Sequence, residues 1–152
     1  MSYSLANYRQ EDVLVQDYTI LSDGHEIPLR VYRKASITGE VILKKRPVYI
    51  WYHGGGFLFG SLDAEDGHCF TVARTLDIVV VHVCYRHTPE YQWPCQLNDA
   101  TAGLNWVYEN MNLLKGDESK VIVAGRSAGG MLAAGVVLRD RVEVRWCTNS
   151  QH

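Results

Sequence analysis

The chain has 152 residues, 47% hydrophobic and 21% charged, with a formal net charge of −2. At about 150 residues per domain this is one domain, and the composition excludes a disordered, collagen-like or disulfide-built chain. With no basic excess there is no field to grip nucleic acid or an anionic membrane, so neither is expected as a partner.

The N-terminal stretch has no apolar core behind a basic start, and no run approaches the roughly 18 apolar residues of a membrane span. No secretory signal or membrane span is expected, and a cytoplasmic location is the default. Val13–Leu21 and Ile27–Arg33 alternate as strands around the turn residues Ser22-Asp23-Gly24. Residues 34–46 are polar, end in Lys44-Lys45-Arg46, and read as a surface loop. Pro47–Tyr52 is a short β-branched and aromatic run, the pattern of a strand buried on both faces, and it stops at His53-Gly54-Gly55-Gly56.

Asp66–Leu76 has helical spacing, and Ile78–Cys84 is a second buried-strand run. Gln96–Met111 carries an apolar stripe through Leu97, Ala100, Leu104 and Val107, which predicts another helix. Gly116-Asp117 reads as a turn, Val121–Ala124 as a third buried strand and Met131–Leu138 as a helix. Arg139–Trp146 alternates like a half-exposed strand before a polar end. Strands alternating with helices predict an α/β fold, a largely parallel sheet with helices on both faces. Cys69, Cys84, Cys95 and Cys147 lack metal-ligand spacing, so reduced thiols are expected.

Gly125-Arg126-Ser127-Ala128-Gly129 fits G-x-S-x-G between a strand and a helix, the context of a nucleophile elbow. Such a turn lifts the Ser127 hydroxyl above the helix N-terminus and aims the Ala128 N–H where an oxyanion would form. Glycine-rich turns of this kind also occur as plain structure or as phosphate cradles. The glycines after His53 let the main chain approach a substrate carbonyl with N–H groups exposed, where a flexible loop is the alternative. His53 is expected to order that loop rather than act as a base.

Between these motifs lies Tyr85-Arg86-His87-Thr88-Pro89-Glu90-Tyr91-Gln92-Trp93-Pro94. HGGGF, YRHTPEYQWP and GRSAGG, in this order, resemble the hormone-sensitive-lipase-like carboxylesterases of the α/β-hydrolase fold, whose usual forms are HGGG, YRLAPE and GDSAGG. The resemblance spans residues 13–138. It implies a serine hydrolase that cleaves small carboxylic esters through an acyl-enzyme on Ser127. The N–H groups of Gly55, Gly56 and Ala128 would form the oxyanion hole, with His53 and Gly54 supporting that loop. Tyr85, Arg86, Pro89 and Glu90 would be scaffold, and no metal or organic cofactor is implied. Two residues depart from the pattern: Arg126 stands where the family has Asp, and His87 replaces Leu.

Serine needs a base, and in this fold the order is Ser, then Asp or Glu, then His. Asp140, Glu143 and His152 follow Ser127, but Asp140 falls about 20 Å along the next helix and nothing positions a terminal histidine. The later strands that carry the family's acid and base are expected to be missing. Residues 1–138 then read as the N-terminal part of the domain and 139–152 as an atypical tail, explained by a truncated or misread gene product. An open sheet edge and marginal stability would follow. The alternatives are a non-catalytic relative that binds a small ligand, as the plant gibberellin receptors do, or an inactive piece needing a complementing partner. The sequence fixes no oligomeric state.

Overall fold

The computed structural model describes residues 7–10, 12–35 and 44–149. Its first elements form a meander in which β1 (Asn7–Gln10), β2 (Val13–Ser22) and β3 (His25–Lys34) pair antiparallel. β1 was not anticipated. Asp23 and Gly24 have φ of 50° and 76°, the left-handed pair with which a two-residue hairpin matches the strand twist.

β4 (Arg46–Tyr52), β5 (Val79–Val83) and β6 (Gly116–Gly125) are parallel to one another, and β5 joins β3 antiparallel. The order is β1-β2-β3-β5-β4-β6. The sheet is therefore mixed, which corrects the expectation of a largely parallel one. The reason is connection length: a two-residue turn returns the chain antiparallel, whereas parallel pairing needs a crossover. The crossovers are α1 (Asp66–Leu76), then α2 (Cys95–Glu109) with α3 (Met111–Leu114).

Helices cover both faces, as expected. α1 buries Cys69 and Ala73 against Val15, Tyr32, Trp51 and Val80. On the other face, α2 and the last helix, α4 (Ala128–Asn149), bury Leu104, Val107, Leu132 and Val136 against Ile50 and Val81. Each such aliphatic side chain contributes about 1.5–3 kcal/mol on burial. β5, sandwiched between the two cores, is buried at every position.

Two further expectations change. Val121–Ala124, expected as a buried strand, lies among the described strands at the open edge that was also expected, and Ile122 is 49% exposed. Gly116-Asp117, expected as a turn, starts β6: Gly116 faces Arg46, and the register then jumps so that Val121 faces Val48. The polar residues between them bulge outward, with the Ser119 amide and hydroxyl both donating to the Asp117 carboxylate.

α4 also runs unbroken to Asn149, so Arg139–Trp146 is helical rather than a strand. No Gly or Pro follows Leu138 to stop it, and extending a helix adds one hydrogen bond per residue fixed. Arg139 fastens this part to α2, donating to Asn98 Oδ1 at 3.0 Å and Thr101 Oγ1 at 3.2 Å. Residues 36–43 of the expected loop, His152, and the side chains of Glu143 and Cys147 lie outside the described residues. Cys69, Cys84 and Cys95 are free thiols. No described helix is long and apolar enough to cross a membrane.

Candidate active site

β6 ends at Gly125 and α4 begins at Ala128, which leaves Arg126 and Ser127 to turn the chain. Ser127 has φ 53°, in the left-handed region that costs a non-glycine residue energy and persists only where its surroundings enforce it. Here they do. The Arg126 N–H donates to Tyr52 O at 3.2 Å, and the Gly129 and Gly130 N–H groups donate to Arg126 O and Ser127 O at 2.9 and 2.8 Å. A Cβ on Gly129 would stand 2.0 Å from Tyr52 O, so only glycine lets α4 start this close to β4. The elbow expected at Gly125–Gly129 is present, with Ser127 exposed at the start of a helix and Ala128 buried behind it.

β4 feeds directly into the glycine loop. Positive φ at Gly55 (119°), Gly56 (62°) and Phe57 (67°) folds it so that the Leu58 and Phe59 N–H groups donate to Gly55 O. Loop and elbow abut: a Cβ placed on Gly54 would lie 3.6 Å from Ser127 Cβ and 3.1 Å from Arg126 O.

His53 lies inside, 1% exposed. Its Nδ1–H donates to Gly54 O at 2.7 Å, its ring stacks on Tyr85 at 4.3 Å, and the Tyr85 hydroxyl donates to His53 O at 2.8 Å. Burial lowers its pKa below the ordinary 6.5, which keeps the ring neutral near pH 7. These contacts order the loop. Thr88 adds a second tie, its N–H and hydroxyl donating to Phe57 O at 2.8 and 3.1 Å. Arg86 is forked onto the fully buried Asp99 at 2.9 and 2.7 Å, and its own N–H joins the same carboxylate. Glu90 is exposed, and His87 is half-buried against His53.

The family profile that matches residues 49–151 is described as alpha/beta hydrolase fold. The chain belongs to that family. Carboxylesterase NlhH of Mycobacterium tuberculosis is 39% identical over 124 residues, 81% of this chain and 37% of NlhH. Esterase LipI of the same species is 36% identical over 130 residues, 86% of this chain and 40% of LipI. Among solved structures, a bacterial heroin esterase superposes with a TM-score of 0.79 at 36% identity, covering 88% of this chain and 41% of the esterase. A hyperthermophilic esterase from Pyrobaculum calidifontis gives 0.74 at 40% identity, over 84% and 39%. This α/β-hydrolase chain thus spans about two fifths of the length of these relatives.

The hydrolase motifs converge, but the Ser127 hydroxyl has no hydrogen-bond partner among the described residues. Asp140 is exposed on α4, about 20 Å from Ser127 at 1.5 Å per residue. Among the described residues no group of three His, Cys, Asp or Glu is gathered to hold a metal.

Two buried residues of the site escaped the sequence reading. Glu65 closes a 3₁₀ turn (Asp63–Glu65) and is 6% exposed. It accepts Arg126 Nη2 at 2.7 Å and Trp51 Nε1 at 3.4 Å. Its one available signal was Arg126, a basic residue where the resemblance leads one to expect an acid. His82, hidden inside an apolar strand run, is fully buried with its ring 5.6 Å from that of His53, and neither of its nitrogens has a partner among the described residues.

Proposed function

We propose that this chain carries the nucleophile and the oxyanion-binding half of a serine hydrolase for small carboxylic esters. Ser127 Oγ attacks the ester carbonyl, and the N–H groups of Gly55, Gly56 and Ala128 receive the negative charge that develops on its oxygen. The alcohol leaves, and Ser127 carries the acyl group until water removes it. The observation that carries this reading is the abutment of Gly54 on a left-handed Ser127, because oxyanion donors must stand beside the attacked atom. The general base and its carboxylate come from outside the described residues. Asp140 is too far along α4, and His53 is buried, neutral and committed to Gly54.

A second reading, a non-catalytic relative that binds a small ligand, would keep the same loop and elbow without turnover. Intact-mass analysis after exposure to p-nitrophenyl acetate separates the two. The hydrolase reading expects an acetyl group on the chain that is absent from Ser127→Ala. A folded chain that binds the ester and never acquires the acetyl group supports the ligand-binding reading instead.

A further inference from the structure

The segment from Tyr52 to Glu65, which contains the glycine loop, is fastened at both ends to one residue. At its start, Tyr52 O accepts the Arg126 N–H at 3.2 Å. At its end, the Glu65 carboxylate accepts the Arg126 guanidinium at 2.7 Å. Gly54 lies between, where a Cβ would stand 3.3 Å from Arg126 Nε. We propose that Glu65 and Arg126 are a pair of positioning residues that lock the glycine loop in register with the Ser127 elbow. The proposal rests on reading that loop as the oxyanion loop.

Burial makes the pair necessary. The Glu65 side chain is 7% exposed while that of Arg126 is 68% exposed, so the carboxylate depends on its cation and not the reverse. The Trp51 indole supplies the other oxygen with a neutral donor at 3.4 Å. An acid at position 126, as in the family's usual GDSAGG, would face Glu65 with like charge. The departure at Arg126 is therefore matched to Glu65, and the two work as a unit.

Amide hydrogen exchange on the 152-residue chain, read residue by residue, tests this. The probes are the loop donors Leu58, Phe59 and Thr88, with Val31 and Tyr32 in β3 as the reference. Glu65→Gln keeps the side-chain shape and removes the charge; it is expected to speed exchange at the loop probes about tenfold, with β3 unchanged. Arg126→Gln should do the same, and Arg126→Lys, which keeps the cation, should restore most of the protection. Unchanged loop exchange overturns the proposal. So does equal acceleration at Val31 and Tyr32, which would make the pair a general stabiliser, and so does failure of both Glu65→Gln and Arg126→Lys to fold. None of these readouts requires ester cleavage, so loss of the Ser127 reading would not mimic any of them.

Discussion

Tyr85 and His53 are joined twice: the phenol donates to the His53 carbonyl at 2.8 Å, and the two rings stack 4.3 Å apart. The end of β5 thereby supports the loop that follows β4, tying the two neighbouring parallel strands together where the site is built. Tyr85→Phe keeps the stack and leaves a buried carbonyl unpaired. It is expected to cost about 1–3 kcal/mol, read from urea unfolding. An unchanged midpoint would remove this bond from the loop's support.

Arg86 and Asp99 form a buried ion pair in the scaffold, at 2.7 Å with side-chain exposures of 9% and 0%. Arg86→Met strands the Asp99 carboxylate and is expected to cost about 3–5 kcal/mol. The exposed pair of Lys34 and Asp12, at 3.8 Å, provides the contrast, since Lys34→Met should change stability by less than about 1 kcal/mol. Similar losses in both variants would contradict the ranking by burial.

Two glycines separate steric need from composition. A Cβ on Gly129 would strike Tyr52 O at 2.0 Å, whereas one on Gly67 meets nothing within 4 Å. Gly129→Ala is expected to unfold the chain or cost several kcal/mol, while Gly67→Ala in α1 should be neutral or stabilise by up to about 1 kcal/mol. Circular dichroism with thermal melts reads both.

His53, His82 and His87 all resist protonation in the folded chain, chiefly through burial. The carboxylates of Glu65 and Glu90 pull the other way at His53 and His87, while Arg126 and Arg30 act with burial at His53 and His82. The unfolded chain takes up these protons near the ordinary value of 6.5. Their contribution is thus fully present above that pH and is lost as pH falls below it, because protons then favour unfolding. The urea midpoint should drop between about pH 7.5 and about pH 5.5, and His82→Leu should flatten that dependence. A midpoint that rises on acidification would contradict the sign.

β6 leaves its outer edge unpaired among the described strands, with Ile122 49% exposed on it. Such an edge is a template for pairing with other chains. Ile122→Lys should reduce self-association in light scattering without lowering the melting temperature. Unaltered scattering would place the association elsewhere.

Much of the site was legible because its motifs are local. The turn at Ser127 and the loop from His53 to Gly56 each combine a buried strand with glycines at fixed offsets, and the structure brings them together as expected. What was missed depended on distant partners. Glu65 carries no motif of its own, and only the approach of Arg126 from the far end of the sequence gives it a role. His82 falls inside the apolar run Ile78–Cys84 without a motif to mark it, although burial beside His53 makes it part of the site's foundation. Arg139–Trp146 shows the limit of alternation as a signal, since an existing helix carried through it without a residue to stop it. The parallel character of the sheet was overstated because a two-residue hairpin at Asp23-Gly24 contributes antiparallel strands to the same layer.

The central claim is that Ser127 is the nucleophile and that its base lies outside the described residues. Mapping where a fluorophosphonate attaches, with and without added imidazole, tests it most directly. The expected result is one slow adduct on Ser127, absent from Ser127→Ala and accelerated when imidazole acts as the base. A folded chain that takes no adduct even with imidazole, or that is modified at several serines, would contradict the first half of the claim. Rapid labelling of Ser127 without imidazole, undiminished in His152→Ala, would contradict the second.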